Sequence, residues 1–243
     1  MSIIKQLDRC TGLFDQVLLA EKYKAQGEFV AIENGLDSEF LYPLLDPIPT
    51  LSNAVHRNLI PGHKKGGSVS RHDIDQYTPL YKEFYSAKEW ILFLSNTIGK
   101  ELLRCPLADP HAYALYYYTQ AGDHIGYHYD RSYYRGERFT VLIGLVNRSS
   151  CLLEYELHTK DSGRGNQKGS IALNPGTIVI FNGDKLRHRV TPCRKGEQRI
   201  ALTLEYVTDT SMTSYNRFIS NVKDSIAYFG FRQVFGSSRS ASQ

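Results

Sequence analysis

The chain has 243 residues, of which 42% are hydrophobic, 12% aromatic and 22% charged, with a formal net charge of +4 and an isoelectric point of about 8.7. This composition is too apolar for a disordered chain and supports a sizeable core, while so mild a positive balance does not call for nucleic acid. No apolar run approaches the roughly 20 residues that cross a bilayer as a helix, and the N-terminus lacks a signal peptide's apolar segment. Cys10, Cys105, Cys151 and Cys193 are widely spaced and form no Cys-X-X-Cys pair, so reduced thiols in a cytoplasmic protein are expected.

One domain over 1–243 is expected, beginning with helical support over 1–110. Apolar positions at Leu7, Cys10, Phe14, Val17 and Leu18 suggest a helix within 3–24, weakened by Gly12. Phe29 to Ile32 reads as a short strand. Leu36 to Leu51, broken by Pro43, Pro47 and Pro49, reads as a helical turn followed by loop. Ile60 to Ser70, with its glycines and lysines, reads as a flexible basic loop that brings Lys64 or Lys65 to a substrate carboxylate or simply stays in solvent. Thr78-Pro79 starts a helix whose buried face carries Phe84, Ala87, Ile91, Leu94, Ile98 and Leu102, ending before Pro106.

From 111 to 207 the pattern changes to short β-branched and aromatic runs separated by turn residues. Strands are expected at Tyr113–Thr119, Phe139–Val146, Leu152–Leu157, Ser170–Leu173, Thr177–Phe181, Arg187–Thr191 and Gln198–Val207. Their number and spacing predict a mainly β fold with flanking helices, a jelly-roll core. Gly163 to Gly169 reads as a mobile loop. A final amphipathic helix over 208–236, with Phe218, Val222 and Ile226 on one face, and a tail over 237–243 complete the prediction.

The chemistry concentrates around Gly126-Tyr127-His128-Tyr129-Asp130. In an extended segment His128 and Asp130 share a face, because side chains repeat every second residue. His188, in the strand-like Leu186–Val190, is a candidate third ligand. Two imidazoles and one carboxylate that leave about three positions open suit non-haem iron(II) and oxygen. His124 and His128 have zinc-protease spacing, but Ile125 stands where that motif needs glutamate. His56, His63, His72 and His158 read as exposed polar residues.

Around these positions lie ordered blocks. Tyr118 and Gly122 precede His128 and Asp130. Arg138-Phe139-Thr140-Val141-Leu142 follows, then Asn174-Pro175-Gly176-Thr177, His188–Pro192 and Gly196–Leu202. Together they resemble the double-stranded β-helix core of the 2-oxoglutarate-dependent iron(II) oxygenases, most of all the prolyl 4-hydroxylase-like group. The resemblance runs from Tyr113 to Val207.

The resemblance implies that His128, Asp130 and His188 are the catalytic iron ligands and that Arg199, eleven residues after His188, grips the far carboxylate of 2-oxoglutarate. An arginine suits that task, since it pairs bidentately with a planar carboxylate and stays charged. Tyr118 and Tyr116 fall on the cosubstrate side. Where relatives carry a second tyrosine this chain has Gly144, and Ala201 stands where a hydroxyl is usual, which points to Thr203 as a substitute.

Implied cofactors are Fe(II), 2-oxoglutarate and O2, with ascorbate as accessory reductant. The implied reaction couples oxidative decarboxylation to hydroxylation of an unactivated C–H bond. Asp130 favours hydroxylation over halogenation, because related halogenases replace this carboxylate by glycine or alanine. Similarity to enzymes of the free amino-acid branch suggests a small amino-acid substrate, held by Lys65, His111, Arg131 and Glu205. Oxidation of a protein or nucleic-acid side group, or a non-catalytic ligand-binding jelly roll, are the alternatives; membrane partners are not expected.

Overall fold

The computed structural model describes residues 11–106, 108–130 and 132–211. The expected start of the first helix at Leu7 and Cys10, and nearly all of the helix expected over 208–236 with its tail, lie outside them. No helix among the described residues is long and apolar enough to cross a membrane.

The first described helix, Gln16–Ala25, begins where Oδ1 of Asp15 accepts hydrogen bonds from the Val17 and Leu18 amides. It buries Leu19 and Tyr23, four residues apart, and leaves Val17 71% exposed. The expected apolar face is thus turned outward. Ser38–Leu45 is a helix that tolerates Pro43, and Ile48–Leu51 forms a further turn, so this segment is more helical than its prolines suggested.

The single helix expected after Thr78 is two helices, Leu80–Ser86 and Lys88–Ile98, broken at Ala87, whose ψ of 127° is extended. A preceding helix, Arg71–Tyr77, is capped by Ser70, whose hydroxyl accepts from the Asp73 amide while donating to the Asp73 carboxylate. Lys88–Ile98 stops at Gly99, whose φ of 75° is left-handed.

Among the described residues, twelve strands follow one another. These are β1 (Phe29–Ile32), β2 (His56–Ile60), β3 (Lys64–Ser70), β4 (Leu103–Arg104), β5 (Tyr113–Tyr118) and β6 (His124–His128), then β7 (Arg138–Arg148), β8 (Leu153–Leu157), β9 (Gln167–Ile171), β10 (Ile178–Asn182), β11 (Arg187–Val190) and β12 (Gln198–Val207). Every pairing is antiparallel, in the order β1-β10-β7-β12-β5-β3-β6-β11-β8-β9, with β2 on β3 and β4 on β12. One wall is β10-β7-β12-β5 and the other β6-β11-β8-β9. From β5 onward the chain passes repeatedly between the walls, which is a double-stranded β-helix.

The expectation of a flexible loop at 60–70 is wrong. Lys64–Ser70 is β3, the strand that joins the walls by pairing with β5 through Gly67–Ser70 and with β6 through Lys64 and Lys65. Gly67 is there for packing: a Cβ would stand 2.4 Å from Cγ1 of Val55. Likewise the loop expected at 163–169 gives way to β9 from Gln167.

Residues on β7 and β12 alternate between two apolar regions. Val141, Ile143, Leu202 and Leu204 pack outward with Phe84, Trp90 and Phe93 of the helices. Leu142 and Ala201 point between the walls with Leu153, Val179 and Phe181. Both faces of these strands are buried, and the helices therefore brace one wall while leaving the interior to the site.

The expected reduced thiols at Cys151 and Cys193 are instead a disulfide, with Cα atoms 5.5 Å apart. Their 42-residue separation hid this. Pairing of Leu153 with Val190 brings the two ends together. Cys105 is a buried free thiol.

Candidate metal centre

His128 and His188 are direct partners across β6 and β11, their ring centroids 4.2 Å apart. Cross-strand pairs of this kind hold side chains within a few ångströms. Asp130 lies just past the end of β6, where its amide donates to the Gly183 carbonyl at 2.9 Å. Oδ1 of Asp130 is 3.3 Å from Nε2 of His128, and Oδ2 is 3.8 Å from Nε2 of His188. One ligand atom from each of the three falls within 4.8 Å of the others.

Each imidazole is oriented from behind. Nδ1 of His128 faces the Gly126 carbonyl at 2.9 Å, and Nδ1 of His188 faces the Leu186 carbonyl at 3.3 Å. Donation through Nδ1 leaves Nε2 as the free donor toward the shared point. Burial of the Asp130 carboxyl would raise its pKa, but the neighbouring His188 and His128 outweigh that and hold it well below the usual range. Burial, with His128 adding and Asp130 opposing, pushes His188 down to about 4. A carboxylate at Asp130 and a neutral imidazole at His188 are protonation states that suit a divalent metal.

The triad opens into a cavity between the walls, reached also by Tyr116 and Tyr118 of β5 and by Arg199, Thr203 and Glu205 of β12. Arg199 is 2% exposed, and its Nε has no hydrogen-bond partner. Its guanidinium lies over the Tyr118 ring, 5.1 Å from the centroid. Burial lowers the pKa of Arg199 while Tyr118 opposes that fall. A desolvated cation with an unused donor is costly unless an anion joins it. The residues present therefore fit both a metal held by N, N and O donors and a carboxylate ligand beside it.

No family model matches the sequence, and no curated protein does. Solved structures do. The chain superposes with a TM-score of 0.65 on the non-heme alpha ketoglutarate dependent epimerase SnoN from nogalamycin biosynthesis, at 12% identity, covering 79% of this chain and 80% of that one. A Trichoplax adhaerens prolyl hydroxylase, solved with a hypoxia inducible factor peptide fragment, gives 0.65 at 17% identity over 88% and 96%. An oxidoreductase of the 2OG-Fe(II) oxygenase family from Burkholderia pseudomallei gives 0.55 at 16% over 82% and 93%. This chain has the 2-oxoglutarate and iron(II) oxygenase fold.

In this oxygenase fold the remaining residues singled out from sequence take different places. Tyr118 faces Arg199 across β5 and β12, and Tyr116 faces Ala201. Thr203 is buried at the cavity wall. His111 is behind the cavity, its Nδ1 3.4 Å from the Tyr116 hydroxyl. Lys65 is not at the site: its ammonium donates to the Ala121 carbonyl at 2.6 Å. Lys64, its buried neighbour, stands 5.3 Å from the Tyr116 ring centroid. Arg131 lies outside the described residues.

Gly144 cannot carry the tyrosine of the resembling enzymes. A Cβ there would stand 2.1 Å from the Asn174 carbonyl oxygen, because the Leu173–Gly176 turn presses against it. Glu205 does reach the cavity, but Oε2 is engaged by Nε of Arg138 at 2.9 Å and by the Thr140 hydroxyl at 3.0 Å. Burial lifts the Glu205 carboxyl to about 7, with Arg138 opposing and Asp130 adding.

Four further residues of this site carry no signal of their place in the sequence. Thr140 donates to Oδ2 of Asp130 at 3.0 Å, and Arg138 backs Glu205. Gly183 reads only as a turn residue, yet a Cβ there would meet Cβ and O of Asp130 at 2.8 Å. His63, expected to be exposed, is half-buried and meets the His128 ring edge-to-face at 6.1 Å. His56, His72 and His158 are also half-buried.

Proposed function

We propose that this protein is a 2-oxoglutarate-dependent iron(II) dioxygenase that hydroxylates an unactivated C–H bond of a small molecule, a free amino acid or a derivative. The observation that carries the reading is Arg199, a buried guanidinium with an unpartnered nitrogen at a cavity wall shared with three convergent ligand atoms. In support, SnoN has been solved with Fe3+, alpha ketoglutarate and nogalamycin RO.

In this reading His128, Asp130 and His188 hold iron(II), leaving about three positions for cosubstrate and oxygen. Bound iron and 2-oxoglutarate supply the oxidising chemistry, with succinate and carbon dioxide released. Arg199 pairs with the distal carboxylate of 2-oxoglutarate and fixes its direction across the cavity. Tyr118, buried with its ring centroid 5.1 Å from the guanidinium carbon, covers that pair from water. Its phenol is pushed up to about 12, mainly by burial, so it remains a hydrogen-bond donor at working pH.

The charges at the cavity favour a substrate with no net charge. With Glu205 ionised, Arg138 and Arg199 match Glu205 and Asp130, and a divalent metal matches the 2-oxoglutarate dianion. Buried charge left over would cost several kcal/mol, on the order of an unpaired ion. A zwitterionic amino acid meets the requirement, and Oε1 of Glu205, which makes no hydrogen bond among the described residues, is an acceptor for its ammonium group.

The test is succinate release from 2-oxoglutarate by purified protein with Fe(II) and ascorbate, against a panel of free amino acids. Release stimulated by one amino acid and accompanied by its hydroxylated product is expected. Stimulation by peptides alone would correct the substrate class, and absence of 2-oxoglutarate turnover with every substrate would reject the dioxygenase reading.

A further inference from the structure

We propose that Thr140 is a positioning residue for Asp130, whose hydroxyl ties up Oδ2 so that the carboxylate presents Oδ1 alone to the metal. The inference deepens the functional reading above and rests on its metal site. Thr140 is 1% exposed and pairs with Glu205 across β7 and β12. Its Oγ1 lies 3.0 Å from Oδ2 of Asp130 and 3.0 Å from Oε2 of Glu205.

A hydroxyl has one proton to give. Two carboxylate oxygens compete for it here, and the competition is decided from behind. Nε of Arg138 lies 2.9 Å from the same Oε2 and supplies that oxygen with a charged donor. Oδ2 of Asp130 has no other hydrogen-bond donor among the described residues. The Thr140 proton therefore goes to Asp130, the oxygen that would otherwise be left without one.

The consequence is geometric. With Oδ2 held by Thr140, Oδ1 is left on the side of His128, 3.3 Å from its Nε2. A carboxylate bound through one oxygen occupies one coordination position. Swung round to bind through both, it would occupy two and close a position that cosubstrate or oxygen requires. Thr140 and Glu205 sit on the two longest strands of the sheet, which gives the hydroxyl a rigid mounting.

Cobalt(II) titration of the metal-free protein, followed by visible absorption, tests this without turnover. Wild type, Thr140→Val and Thr140→Ser are compared, each with its thermal melting curve. Thr140→Val should bind cobalt about tenfold to a hundredfold more weakly and show d–d bands altered in position and intensity, whereas Thr140→Ser should keep the wild-type affinity and bands. Should Thr140→Val fail to fold, Thr140→Ala makes the same comparison. A hydroxyl-free variant that melts lower but keeps wild-type affinity and bands overturns the inference and leaves the metal site standing. No cobalt binding by the wild type overturns the metal site itself.

Discussion

Arg199 and Tyr118 are partners across β12 and β5, and the guanidinium carbon lies 5.1 Å from the centroid of the phenol ring. The ring shields a cation whose Nε has no partner. Replacing it should therefore have opposite effects with and without cosubstrate. In the absence of 2-oxoglutarate, Arg199→Met should melt at or above the wild-type temperature, since a buried unpaired charge is removed. With metal and 2-oxoglutarate, it should bind the cosubstrate more weakly by about 2–5 kcal/mol, roughly 30-fold or more. Calorimetric titration and melting curves read both effects; equal affinity in the two proteins would remove Arg199 from the cosubstrate site.

Asp130→Ala and His128→Ala should bring succinate formation down to the level without enzyme. Each substitution deletes a donor atom from a group whose ligand atoms all lie within 4.8 Å of one another. Full turnover by Asp130→Ala would refute the metal assignment.

Gly183→Ala should loosen the same centre from outside it. The added methyl group would stand 2.8 Å from both Cβ and O of Asp130. Overpacking of this kind costs about 1–3 kcal/mol, and the relief is movement of Asp130. Iron(II) or cobalt(II) affinity should fall together with stability; loss of stability with unchanged affinity would show that the backbone yields elsewhere.

Two buried groups should oppose each other in the acid stability of the metal-free protein. Burial pushes His188 down from 6.5 to about 4. Between those values the unfolded chain binds a proton that the folded imidazole does not, so this contribution rises with pH and is complete above 6.5. It amounts to roughly 3 kcal/mol at most. Glu205, pushed up from 4.5 to about 7 by burial, has the reverse sign: its contribution is complete below 4.5 and is lost as pH rises to about 7. Urea midpoints should change little with pH in the wild type, rise in Glu205→Gln and fall in His188→Asn. Parallel profiles for all three proteins would contradict both shifts.

Reduction of the Cys151–Cys193 disulfide should lower stability. It closes a 42-residue segment, for which loop entropy suggests about 4 kcal/mol. The urea midpoint of Cys151→Ser/Cys193→Ser should match that of the reduced wild type. A double variant as stable as the oxidised protein would mean that the strand pairing around the two cysteines already supplies the constraint.

Most of the strand run from Tyr113 to Val207 is legible in the amino-acid sequence, as is the shared face of His128 and Asp130. Alternating burial and turn residues are local properties, written at a spacing of two residues. Arg199 and Tyr118 stand out only through the family resemblance that the ordered blocks carry; strand periodicity alone does not single them out. The apolar residues at the start of Gln16–Ala25 do not mark its buried side, which is set by Leu19 and Tyr23.

Other features depend on contacts between distant segments. Gly66 and Gly67 mark a loop in sequence, yet they are the places where β3 passes between β2 and β5, a fact that requires Val55 and Tyr117 to be in view. The hydroxyl of Thr140 gains its meaning from residues 10 and 65 positions away, and Cys151 from one 42 away. Periodicity reports which way a side chain faces; what it meets there is settled by how the two walls close on each other.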